Sequence, residues 1–145
     1  MNVLKIVLLA LLMALVISVT PAAAAGGTGQ SANSPSGLCA DNSIMVQFGP
    51  GPEDAFPLEI ASHGGCVSTV ASRGSVVAPG NYSHAAYVSQ CKLLKSELPA
   101  EFWNAPVEIV QTPDGPSNVG GFGGNIETCT GLLKGYHSGT LTHPE

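Results

Sequence analysis

The chain has 145 residues, with 10 acidic side chains against 5 Lys and Arg, a formal net charge of −5. This balance leaves no basic face of the kind that nucleic acid or an anionic lipid surface requires. Four cysteines in a chain long enough for one domain point instead to cross-links and to an oxidising compartment.

Lys5 precedes an apolar run from Ile6 to Val19, which Thr20-Pro21 breaks and Ala22-Ala23-Ala24-Ala25 follows. A basic start, an apolar middle and a small-residue end make residues 1–25 a secretory signal peptide. A membrane span needs about 20 apolar residues. The run here is shorter and no basic cluster follows it, so no stable membrane anchor is expected after cleavage. Cleavage after Ala25 removes Lys5 and leaves 120 residues with a formal charge of −6. The expected localisation is secreted or extracellular.

Residues 26–37 are Gly, Ser and other small or polar side chains and read as a flexible linker. A single disulfide-stabilised domain is expected over residues 38–138, with a loose tail at 139–145. Ser43 to Phe48 reads as a strand, and Gly49-Pro50-Gly51-Pro52 forces the loop after it. A helix capped by Ser62 is expected to run past Val70, with Ile60, His63, Val67 and Val70 on one face, and to stop at Arg73-Gly74. The clearest helix spans Ser83 to Leu98, its stripe being Tyr87, Cys91, Leu94 and Leu98. Pro99 ends it and opens a short turn with Phe102-Trp103 as buried anchors. Val107 to Gln111 alternates as a strand, and Thr112-Pro113-Asp114-Gly115-Pro116 makes a turn. Val119 to Gly124 is a Gly-rich run that reads as a flexible segment or a tight turn. Asn125 then caps a helix to about Tyr136, with Ile126, Cys129, Leu133 and Tyr136 on one face. The fold class is α+β or mainly α: a small disulfide-stapled domain with about three short helices and one or two short strands.

Cys39, Cys66, Cys91 and Cys129 lack the C-x-x-C spacing of redox or zinc sites. Four cysteines allow three connectivities. Cys91 and Cys129 each fall on the apolar stripe of a helix, so packing those helices brings the sulfurs together. Cys91–Cys129 is therefore favoured, which leaves Cys39–Cys66 to pin the first strand to the first helix.

Gly64-Gly65-Cys66-Val67-Ser68-Thr69-Val70-Ala71, Ala86-Tyr87-Val88-Ser89-Gln90-Cys91-Lys92 and Phe122-Gly123-Gly124-Asn125 leading to Cys129 resemble small secreted actinobacterial proteins of unknown function. The resemblance implies export and helix-borne cysteines. It supplies no catalytic residues.

His63, His84, His137 and His143 show no H-E-x-x-H motif and no i, i+4 pair. His63 and His137 would approach one another if the two Cys-bearing helices packed, which is the one route to a metal site that the spacing leaves open. Ser75 lacks the G-x-S-x-G elbow of a nucleophile. Glu53-Asp54 sits in a Pro/Gly loop, and Glu97 and Glu101 flank Pro99, all as solvated or helix-end acids. Asn81-Tyr82-Ser83 fits the N-glycosylation pattern and serves equally as a turn and helix cap. No catalytic, cofactor-binding or metal residues are assigned. The expected function is a non-enzymatic binding or structural module at or outside the cell surface, with an unknown protein or cell-envelope partner. The alternative is a small extracellular hydrolase whose site assembles from scattered His and acidic residues.

Overall fold

The computed structural model describes residues 31–143. The signal-peptide assignment, and the linker up to residue 30, lie outside the described residues. Ten elements follow in order: helix α1 (Pro35–Leu38), strands β1 (Ser43–Gln47) and β2 (Ala55–Glu59), helix α2 (His63–Arg73), strand β3 (Val76–Val77), helices α3 (His84–Glu97) and α4 (Ala100–Asn104), strands β4 (Ile109–Thr112) and β5 (Gly115–Asn118), and helix α5 (Ile126–Ser138). A 3-10 turn at Pro52–Asp54 joins β1 to β2. The strands form a three-stranded sheet in the order β2-β1-β3 and a separate β4-β5 hairpin. The mixed α+β reading holds, with more strand than the sequence pattern suggested. β2 carries Pro57 and β5 reads Gly-Pro-Ser-Asn, so neither has the run of β-formers that marks a strand in sequence.

β1 pairs antiparallel with β2, Val46 opposite Phe56, and parallel with β3, Val46 opposite Val77. Phe48 N donates to Asp54 O at 3.1 Å and Ile60 N donates to Asn42 O at 2.8 Å. The even-numbered residues of β2 therefore face β1 with their backbone groups, and Pro57 faces the open edge. A missing N–H at that position blunts the edge against pairing with another strand.

Each long helix begins on a side-chain cap. Ser62 Oγ accepts from Gly65 N at 3.2 Å, Ser83 Oγ from Ala86 N at 3.2 Å, and Asn125 Oδ1 from Glu127 N at 2.7 Å. Gly139, with φ of 74°, ends α5. The buried faces are rotated from the stripes that large apolar side chains marked. α2 buries Gly65, Cys66, Thr69 and Val70, and His63 lies exposed at its start. α3 buries Ala86, Tyr87, Ser89 and Cys91, and α5 buries Cys129, Thr130, Leu132 and Gly135. Small side chains let these helices approach closely. A Cβ on Gly65 would sit 2.5 Å from Ser89 Oγ and 3.0 Å from Ala85 O, so α2 gives up helix propensity there to reach α3. Two hydroxyl contacts seal that seam: Ser62 Oγ to Ser89 Oγ at 2.6 Å and Thr69 Oγ1 to Ser83 Oγ at 2.8 Å.

Both expected disulfides are present, Cys39–Cys66 and Cys91–Cys129, with Cα–Cα distances of 5.8 and 6.0 Å. Each lies in its own apolar cluster. The first gathers Cys39, Ile44, Val46, Ile60, Cys66, Val70, Val77, Tyr82, Ala86 and Tyr87. In the second only Cys91, Trp103 and Cys129 are fully buried, with Leu94, Phe122, Ile126 and Leu133 packed around them. Trp103 stacks on Phe122 with ring centroids 5.4 Å apart.

The Gly-rich run at 119–124 is a tight strap. Asn118 Oδ1 accepts from Glu108 N and Gly120 N, and Asn118 Nδ2 donates to Gly121 O. Gly121, Gly123 and Gly124 donate in turn to Pro106, Ala105 and Trp103 carbonyls. A side chain at Gly121 would run into Phe102 O, which is why the strap needs glycine. Residues 140–142, expected to belong to a loose tail, are docked. Thr140 N and Leu141 N donate to Gly135 O, and Thr142 N donates to Pro116 O.

Candidate functional site

Large exposed aromatic side chains collect at one end of the three-stranded sheet. Ile44 and Val46 of β1 point into the core, and the alternation of the strand puts Phe48 on the same face. Phe56 lies opposite Val46, and Phe48 pairs with Asp54, so the two phenylalanines sit diagonally on one face. The core does not extend to them: Phe48 is 69% exposed and Phe56 58%. The loop between them is held by Gln47 Nε2 donating to Gly51 O at 3.0 Å and Gly51 N donating to Asp54 Oδ2 at 3.0 Å. Between Leu38 and Ser72 the chain carries Asp41, Glu53, Asp54 and Glu59 and neither Lys nor Arg.

The four histidines go to separate places. His63 Nδ1 lies 3.0 Å from Cys39 O, and its Nε2 lies 2.9 Å from Ser36 Oγ. His84 Nδ1 accepts from Lys134 Nζ at 3.3 Å. His143 stacks on Tyr136 with centroids 4.7 Å apart. His137 joins Tyr82 and Tyr87 in a three-ring cluster, its centroid 5.0 and 5.7 Å from theirs. Burial first, and then the neighbouring His143, hold the His137 imidazole below its ordinary pKa. Burial, and then Tyr87, push the Tyr82 phenol up to about 12, and burial raises Tyr87 as well. Tyr87 OH and His137 Nδ1 are buried and have no hydrogen-bond partner among the described residues. Lys134 Nζ lies 5.7 Å above the Tyr87 ring. This cluster reads as packing between α3 and α5, with a cation at its rim.

His63 and His137 are thus engaged with different partners, on different parts of the fold. Among the described residues no group of three or more His, Cys, Asp or Glu side chains is placed to hold a metal ion. All four cysteines, Cys39, Cys66, Cys91 and Cys129, are consumed as cross-links, and among the described residues none is free. Glu53 and Asp54 sit in the turn that joins β1 to β2. Asn81 is exposed immediately before α3, and Ser83 of the same triplet is occupied as the α3 cap. Sequence reasoning passed over Ser36, because it lies in a Gly/Ser-rich stretch 27 residues from its histidine partner. It also read Phe48 as an ordinary strand residue. The flanking Pro/Gly loop was the available signal that the strand outruns its cover there.

No helix among the described residues is long and apolar enough to cross a membrane. Comparison with known proteins finds no family model, no curated protein and no solved structure that matches this chain.

Proposed function

We propose that the chain is an exported binding module that engages a cationic, apolar-bearing protein at or outside the cell surface. One observation carries this reading: Phe48, just past β1, and Phe56 of β2 are both exposed at one end of the sheet, and the Asp, Glu, Lys and Arg residues from Leu38 to Ser72 are all acidic. Large exposed apolar side chains rimmed by polar ones mark interaction surfaces. The acidic excess in this part of the chain disfavours anionic lipid and nucleic acid and favours a basic partner. Pro57 disfavours strand addition at the β2 edge next to these side chains, so the proposed mode is side-chain contact. Export rests on the Lys5 start, the apolar run, the Ala22–Ala25 site and the two disulfides.

The binding test uses two labelled helical peptides of equal apolar content, one Lys-rich and one Glu-rich, titrated against the oxidised protein. The Lys-rich peptide should bind, weaken with added salt, and lose about 10-fold or more in affinity to a Phe48→Ser/Phe56→Ser variant of unchanged melting temperature. Equal binding of both peptides, or undiminished binding to the variant, overturns the reading. Export has its own check. Intact mass of the secreted protein should show a new N-terminus near Gly26, and full-length chain in the membrane pellet defeats it.

A further inference from the structure

We propose that Ser36 is an acyl-accepting nucleophile activated by His63, and that it takes carboxylic esters as substrate. The tautomer follows from the partners. The Cys39 carbonyl can only accept, so His63 Nδ1 carries the hydrogen and donates to it across 3.0 Å. In the neutral ring Nε2 is then bare, and Ser36 O–H donates to it across 2.9 Å. A hydroxyl donating to a histidine, which is itself oriented by a second hydrogen bond, is the arrangement that activates a serine. Here a backbone carbonyl takes the place of a carboxylate as the orienting group.

The position of that carbonyl is not left to a loop. Cys39 is bonded to Cys66, and Cys66 lies one turn after His63 on α2. The disulfide therefore clamps the orienting carbonyl to the helix that carries the base. The same helix end presents the Gly64 N–H. It has no acceptor among the described residues, and a Cβ there would meet nothing within 4 Å. A developing oxyanion near the helix start would find a donor and the positive end of the helix dipole.

In the reaction the Ser36 oxygen bonds to the ester carbon as its proton passes to His63 Nε2. The imidazolium returns that proton to the departing alkoxide as the C–O bond breaks, giving acyl-serine and an alcohol. Water then attacks the acyl-serine by the same proton route, releasing a carboxylic acid and restoring the hydroxyl. His63 is exposed, so the site is open to esters borne on larger molecules.

The test is covalent labelling of the oxidised, signal-free protein with an uncharged fluorophosphonate, followed by peptide mapping. The adduct should fall on Ser36 and be absent from Ser36→Ala. It should form about 100-fold faster than in His63→Gln. A synthetic peptide of residues 31–41, with Cys39 blocked, supplies the unassisted rate without requiring a folded variant, and it should match the slow rate of His63→Gln. An adduct elsewhere, a wild-type rate no faster than the peptide's, or no adduct at all overturns the assignment.

Discussion

The two disulfides are alike in chemistry and unlike in what surrounds them. Cys39–Cys66 is embedded in a cluster with Ile44, Val46, Ile60, Val70, Val77 and Tyr87, where a sheet and two helices already bury a core. Around Cys91–Cys129 the only other fully buried member is Trp103, and the remaining apolar side chains are half-covered. In the first region the cross-link is added to a core that hydrophobic burial would hold together. In the second it stands in for side chains that the chain does not have. α3 runs through both, with Ala86 and Tyr87 in one cluster and Cys91 in the other. A thin core in a small domain is the circumstance in which a cross-link contributes most.

The contrast is most directly broken by removing each bridge in turn. Cys91→Ala/Cys129→Ala should cost about 4 kcal/mol and abolish amide protection in α4 and α5. Cys39→Ala/Cys66→Ala should cost less, about 2–3 kcal/mol, with the β1–β2 amides still protected. Urea unfolding and hydrogen exchange measure both. Equal losses would mean that the two clusters are energetically alike. Asn118→Ala comes next, at about 2–3 kcal/mol, because it leaves the Glu108 and Gly120 N–H groups without their acceptor in the strap over the second cluster. Gly65→Ala tests the first region's close helix contact. The Cβ meets Ser89 Oγ, and the loss should be about 1–3 kcal/mol despite the better helix former.

The smallest effect is a pH dependence. The folded His137 pKa is lowered, so at moderately acid pH the unfolded chain binds the proton that the folded chain refuses. The contribution of neutral His137 is complete above its ordinary value of about 6.5 and fades as pH falls below it. Melting temperature should therefore drop more between pH 7 and pH 5 in the wild type than in His137→Phe. At the other extreme, Tyr82 resists ionisation to about 12, so its contribution is present below pH 10 and is lost as pH rises from there toward 12.

The sequence disclosed the disulfides because Cys91 and Cys129 lie on helical stripes with caps at readable positions, Ser83 and Asn125. It disclosed three helices for the same reason. The stripes it marked do face the core at Val70, Tyr87, Cys91 and Cys129, but it left out Gly65, Thr69, Ser89, Thr130 and Gly135, which are also buried and which a hydrophobic pattern does not count. β2 and β5 were illegible because pairing with a better strand, rather than their own propensity, makes them strands. Ser36 and His63 were not read as a pair, although the Cys39–Cys66 bridge was expected, because Ser36 falls in the Gly/Ser-rich stretch assigned as linker. Phe48 was read as an ordinary strand residue, and only the Pro/Gly loop directly after it signalled that the core does not reach it.

The bridges join the first cysteine to the second and the third to the fourth, closing spans of 27 and 38 residues that neither nest nor interleave. Under the proposed export, N-terminus first, this order has a practical meaning. Each cysteine that emerges second in its pair meets a single earlier thiol still reduced, so oxidation in order of arrival yields the native connectivity. Strictly vectorial oxidation needs no reshuffling, and an oxidant without isomerase activity should suffice to produce the correctly bonded protein.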